Sequence, residues 1–291
     1  MPLPSQPMEY ADALAFARQR GVLPTTLTSD ELQALPAEIR RSAFFSSQVT
    51  EAGLLQDMQD QLGELTRGVS DGPGLGLDQP TVRLKLKQII ARSGYQPAAG
   101  RQGTISDLRT DARLNLIIET QQRLAQGYGQ FQRANSGGAR LAFPAQELVR
   151  LYQRRVPRGF EEIKGRIVER NPKYWLDRWQ AAGGEVYDGR MIALKDSPVW
   201  EGISRFGTPW PPFDFNSGMG VKNVGRRECL RLGLIEPDQK IEDPRPQYAL
   251  DDGMAASGNF DASILQRLQD SLKNGLGQDF QVNADGILEA A

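Results

Sequence analysis

Apolar residues recur at helical spacing through the first third of the chain, and prolines and glycines interrupt them. Glu9 to Arg20 carries Tyr10, Leu14 and Ala17 on one side and stops at Gly21. Thr28 and Glu31 have the spacing of a capping box, and Pro36 suits the first turn of a helix through Ile39, Ala43 and Phe44. Thr50 is placed to cap a helix carrying Leu54, Leu55, Met58 and Leu62, which GVSDGPGLGLDQP then breaks. Thr81 to Arg92 resumes with Val82, Leu84, Leu86, Ile89 and Ile90, predicting an antiparallel helix pair around a glycine-rich tip. The alternation of Leu84 and Leu86 with Arg83, Lys85 and Lys87 also fits the start of a strand.

The longest periodic stretch runs from Ser106 to Arg133. Leu108, Ala112, Leu116, Thr120, Leu124 and Tyr128 recur every four residues, predicting one long amphipathic helix ended by NSGG. Pro144 is placed to open another helix with Leu148, Val149 and Tyr152. Asn171 and Pro172 then start a helix with Trp175 and Trp179 on one face, ending at Gly183. Asp188-Gly189 between Val186-Tyr187 and Met191-Ile192 is the signal of a tight hairpin. Ser197-Pro198 caps a short helix, and GTPWPPFDFNSGMG is too rich in proline and glycine for regular structure. VKNV fits a short strand before a helix over Arg226 to Leu232. Beyond Ile235 the chain reads as an extended arm with a final helix, capped by Asp261, that carries Ile264, Leu265, Leu268 and Leu272, ends at Gly275 and docks on something.

These elements predict an α+β fold, mainly α. A helical region spans 1–100, a core with the long helix, the hairpin and the aromatic loop spans 101–235, and a C-terminal arm spans 236–291.

Composition narrows the chemistry. The 291 residues contain no histidine and a single cysteine, Cys229. That removes Ser-His-Asp and Cys-His catalysis, histidine zinc sites and any intrachain disulfide. Net charge is −1, so any attraction to nucleic acid is local. Of 35 basic residues eight are lysine and 27 arginine, a bias that suits carboxylate or phosphate recognition as well as an arginine-rich genome. No secretory signal or apolar run of membrane-spanning length is expected, and no nucleotide-binding glycine motif occurs in a strand-to-helix setting.

Three groupings are candidates for function. Trp200, Phe206, Trp210, Phe213 and Phe215 either anchor an irregular loop or meet a partner. Arg150, Arg154, Arg155, Arg158, Lys164 and Arg166, interleaved with Tyr152 and Phe160 and diluted by Glu161, Glu162 and Glu169, form a candidate DNA contact. Asp188, Asp196, Asp214 and the pair Asp251-Asp252 are the carboxylates to test for acid–base or Mg²⁺ chemistry, although each sits where turns and caps place such residues. No catalytic residue, metal ligand or cofactor is assigned.

Two blocks carry a resemblance. DARLNLIIETQQRLAQGYGQFQRAN looks like the arginine, Glu-Thr and glycine-containing helix of the Mu F-like phage head morphogenesis proteins. GGEVYDGRMIALKDSPVWEGISRFGTPWPPFDFNSGMGVKNVGRRECLRLGL resembles that family's hairpin, its Trp, its Pro-Pro turn with an aromatic and Asn, and its closing helix. The two span roughly Asp107 to Leu234. Where the family often has Cys-x-Cys this sequence has Ser217 and Met219, and the family's upstream histidine is missing, so no metal or disulfide role carries over.

The resemblance implies a minor head protein of a tailed phage, not an enzyme. It would be incorporated in the virion head at the portal vertex after synthesis in the host cytoplasm, with portal or major capsid protein and packaged double-stranded DNA as partners and no membrane. Trp200, Trp210, Pro211, Pro212, Phe213, Phe215 and Asn216 are its candidate motif and partner contacts. The competing expectations are a phage effector or toxin-type enzyme, for which the 57 residues after Leu234 leave little room, and a non-specific DNA-binding module.

Overall fold

A computed structural model describes residues 11–70, 77–153, 156–171, 173–248, 262–277, 279–282 and 288–290. They fall into two compact units that divide the chain differently from the expected regions. One unit takes the residues up to Gly129 and the C-terminal ones from Leu250 on, and the other runs from Gln130 to Ala249. The fold is α+β and mainly α.

The first unit begins with α1 (Ala11–Gln19), whose Phe16 and Ala17 are buried. β1 (Gly21–Val22) pairs in parallel with β2 (Ala43–Phe44), which follows α2 (Ala37–Ser42). The Thr28–Glu31 box forms as expected: Glu31 accepts from the Thr28 backbone N–H at 2.8 Å, and the Thr28 hydroxyl accepts from the Glu31 N–H at 3.4 Å. It opens a 3₁₀ turn, Glu31–Ala34, and not an α-helix.

α3 (Ala52–Ser70) runs three residues into the predicted break, through Gly68, Val69 and Ser70, and residues 71–76 of the glycine-rich tip lie outside the described residues. α4 (Gln79–Ser93) is helical from its start. Asp78 caps the Thr81 N–H at 2.8 Å, Pro80 sits in the first turn, and Gly94 ends it in the left-handed conformation. Leu84 is exposed while Val82, Leu86 and Ile90 are buried, so helical spacing wins over alternation.

α5 (Asp111–Ala134) begins five residues later than predicted. The Asp107 carboxylate holds the preceding turn, accepting from the Gly103 N–H at 2.9 Å, the Arg109 N–H at 3.0 Å and the Arg109 guanidinium. The buried face also differs in its first half. Leu114 and Ile118 are buried while Ala112 is exposed and Leu116 only partly covered, because a strict four-residue repeat drifts around a helix of 3.6 residues per turn.

The second unit takes the end of α5 and then α6 (Gly137–Ala142), which the glycines of NSGG hid from the sequence reading. Its centre is a four-stranded antiparallel sheet in the order β6-β7-β3-β8, of β3 (Ala145–Arg150), β6 (Val186–Tyr187), β7 (Arg190–Leu194) and β8 (Met219–Val224). The helix expected from Pro144 is therefore a strand. β3 is bonded on both edges, Ala145 opposite both Leu194 and Val224.

Both faces of the sheet are covered. Leu148, Ala193 and Met219 pack on one side with Trp175, Trp179 and Phe213, and Ala145, Ile192 and Val224 pack on the other with Cys229 and Ile235. A strand buried on both faces shows no clean alternation, so AQELVR reads as helix by itself.

Between β3 and β6 lie a second hairpin, β4 (Phe160–Ile163) and β5 (Arg166–Glu169), and α7 (Tyr174–Ala181). The β4–β5 turn has positive φ at Lys164 and Gly165, as the predicted turn does at Asp188 and Gly189. α8 (Val199–Gly202) and α9 (Arg226–Arg231) are where expected, while β8 begins two residues before VKNV.

The final helix, α10 (Ala262–Leu276), belongs to the first unit. Leu268 and Leu272 are buried there among Leu23, Leu27, Leu35 and Ile39, and Arg267 pairs with Glu31. That is what the helix docks on. It runs past the predicted stop at Gly275, and β9 (Phe280–Val282) and β10 (Leu288–Ala290) pair antiparallel. Asp251, Asp252 and the expected cap Asp261 lie outside the described residues.

Candidate functional site

The proline-rich loop between α8 and β8 is built around Asp214, which is completely buried. Its Oδ1 accepts from the Phe215 N–H at 2.7 Å and from Arg158 Nη2 at 3.0 Å, and pairs with Arg205 Nε at 3.2 Å. Its Oδ2 accepts from the Tyr174 hydroxyl at 3.1 Å and from Arg178 Nη1 at 3.3 Å. Arg158 precedes β4, Tyr174 and Arg178 lie one turn apart on α7, and Arg205 follows α8. One carboxylate thus ties two other segments, and through Arg205 the start of the loop itself, to the turn. A buried charge persists only when it is paired and hydrogen-bonded, and here every contact is charge-assisted.

The turn after Asp214 is fixed to the end of β3. The N–H groups of Leu151 and Tyr152 donate to the Gly218 carbonyl at 2.8 and 3.1 Å, and Arg150 Nη1 donates to the Ser217 carbonyl at 3.3 Å. Gly218 has φ +69°, and a Cβ there would lie 2.3 Å from the Tyr152 carbonyl oxygen, so no side chain fits.

The aromatic residues fill the interior. Trp200 lies between Trp179, at 5.1 Å between ring centroids, and Phe213, at 6.0 Å. Trp200 Nε1 donates to the Leu194 carbonyl at 2.8 Å and Trp179 Nε1 to the Glu185 carbonyl at 2.7 Å. Trp210 packs on Phe131 and Tyr248, and Phe206 meets Phe215 edge-on at 5.0 Å. The Pro211-Pro212 peptide is cis.

The candidate motif and partner-contact residues differ in exposure. Trp200, Trp210, Pro212 and Phe213 are buried within the unit, Pro211 and Phe215 are partly covered, and only Asn216, at positive φ, stands exposed. Of the anticipated DNA contacts, Arg150, Lys164 and Arg166 are exposed. Arg158 is partly buried and engaged by Asp214, and Arg154 and Arg155 lie outside the described residues. Arg123 lies 3.9 Å from Glu119 across one helical turn.

The remaining carboxylates are dispersed. Asp188 pairs with Arg231 at 3.1 Å on the surface, and Asp196 accepts from the Glu242 N–H at 3.1 Å. Among the described residues no three carboxylate, thiol or imidazole groups are placed to hold a metal, and no helix is long and apolar enough to cross a membrane.

Sequence reading missed the partners of Asp214. Tyr174 and Arg178, spaced i, i+4 beside the Trp175–Trp179 face, were the available signal. It also missed Lys195, which is buried and donates to the Ala134 carbonyl at the end of α5 at 2.6 Å. Burial, with Arg140 nearby, lowers the Lys195 pKa to about 8. Arg190 bridges Glu147 of β3 and Glu228 of α9, and both carboxylates raise its pKa.

Comparison with protein-family models, curated proteins and solved structures finds no match to this chain.

Proposed function

We propose that this protein is a structural minor head protein of a tailed bacteriophage, acting in head assembly at the portal vertex and carried in the virion. The observation behind the reading is the setting of the Pro-Pro block. The hairpin strands β6 and β7, which carry part of the sequence resemblance, belong to the central sheet, with Trp200 and Phe213 packed on one face beside the Asp214 cluster and Cys229 of α9 on the other. A rigid unit whose irregular loop is fixed by an ion cluster suits a scaffold that presents surfaces to other proteins. Portal or major capsid protein is the proposed partner and packaged DNA a second contact, through the exposed Arg150, Lys164 and Arg166.

Co-expression with the portal protein of the same phage, followed by size-exclusion chromatography with light scattering, tests this. A complex of defined stoichiometry is the expected result. Separate elution, together with absence from purified particles, would sink the proposal and favour a phage effector.

A further inference from the structure

Three arginines reach the turn formed by residues 214–218 from different parts of the second unit. Arg158 and Arg178 share Asp214, at 3.0 and 3.3 Å, and Arg150 donates to the Ser217 carbonyl within the same turn at 3.3 Å. Asp214 also pairs with Arg205, whereas Arg150 meets the turn at the Ser217 carbonyl and not at the carboxylate. The Asp214 charge is wholly interior, whereas the Arg158 and Arg178 side chains keep 29% and 19% of their surface and Arg150 is exposed.

Asp214 brings one negative charge against Arg158 and Arg178, and Arg150 adds a further guanidinium at the same turn. The remaining positive charge is held at a rim where partial desolvation strengthens its attraction for an anion. The guanidinium fork matches phosphate oxygens in pairs, a geometry that lysine lacks. Tyr152, 65% exposed, has its backbone N–H fastened to Gly218 and so places an aromatic ring next to the same turn.

We propose that Arg150, Arg158 and Arg178 around the 214–218 turn form a binding site for a phosphate group, supplied by a nucleic-acid backbone or by free phosphate. Asp214 fixes the bearing of Arg158 and Arg178, and the Ser217 carbonyl fixes that of Arg150. The site does not depend on the head-assembly reading, because a chain that fails to bind portal protein can still bind phosphate.

The test uses the full chain, with Arg150→Gln, which leaves the Asp214 contacts in place, and Arg178→Lys, which keeps the charge and loses the fork. Binding of a fluorescein-labelled DNA duplex is followed by anisotropy across a KCl series, and thermal unfolding is followed in inorganic phosphate against KCl of equal ionic strength. The expected result is duplex binding whose slope of log affinity against log salt falls by about one in Arg150→Gln, with weaker binding in Arg178→Lys. A rise in Tm with phosphate that either variant diminishes, without duplex binding, would assign the site to free phosphate. Response to neither probe, or two variants indistinguishable from the parent with both, overturns the proposal.

Discussion

In the first unit the interior is filled by aliphatic side chains from helix faces: Leu54, Leu55, Met58 and Leu62 of α3 against Val82, Leu86 and Ile90 of α4. Ion pairs such as Arg18–Glu64 and Lys87–Asp111 lie at its surface, while the buried Asp107 carboxylate pairs with Arg109. In the second unit all four tryptophans and a fully buried carboxylate occupy the interior, and much of what they hold in place is loop. Regular helices satisfy their own backbone groups and need only an apolar stripe to pack. An irregular segment satisfies few of its own, so side-chain hydrogen bonds and a charged hub take over.

This contrast can be broken experimentally, since tryptophan fluorescence reports the second unit alone while most of the helix signal in circular dichroism comes from the first. The largest effect is expected for Asp214→Ala, which strands three arginines around an empty centre. Removing one partner from a buried ionic cluster costs about 3–5 kcal/mol. The urea midpoint read by fluorescence should fall well below the one read by circular dichroism, and a loss under about 1 kcal/mol would mean that the loop is held by its aromatics alone.

Leu55→Ala should do the reverse. It removes a fully buried side chain from the helical interior at a cost of about 2–5 kcal/mol, seen first by circular dichroism. An equal shift by both probes in both variants would show that the units unfold as one.

A smaller effect separates the units by pH. Lys195 titrates near 8 when folded and near 10.5 when unfolded, so between these values the unfolded chain binds more protons. The second unit should gain stability as pH rises from 8 towards 10.5, and Lys195→Met should abolish the gain. A fluorescence midpoint equally pH-dependent in both proteins would refute the assignment. The smallest effect is expected for Ile167→Thr on the exposed β4–β5 hairpin, within about 0.5 kcal/mol by either probe.

Legibility followed the reach of the contacts along the chain. The capping box at Thr28–Glu31, the α3–α4 sequence and the Asp188-Gly189 turn depend on contacts within a few residues, and they were readable. β3 was not, because its conformation is set by β7 and β8, about 40 and 70 residues later in sequence. The candidate site was half readable. The aromatic block and Asp214 stood out by composition, but their partners Arg158, Tyr174, Arg178 and Arg205 come from segments with no local mark of convergence.

The sequence by itself determined the mainly helical α+β character, the positions of most helices, and the lack of histidine-based chemistry, because periodicity, caps and composition are local or additive properties. Tertiary structure alone decided that residues after Pro144 form a central strand, that the final helix returns to the first unit, and that one buried carboxylate collects three arginines. Each of these depends on pairing between residues far apart in the chain, where burial and charge compensation outweigh local preference.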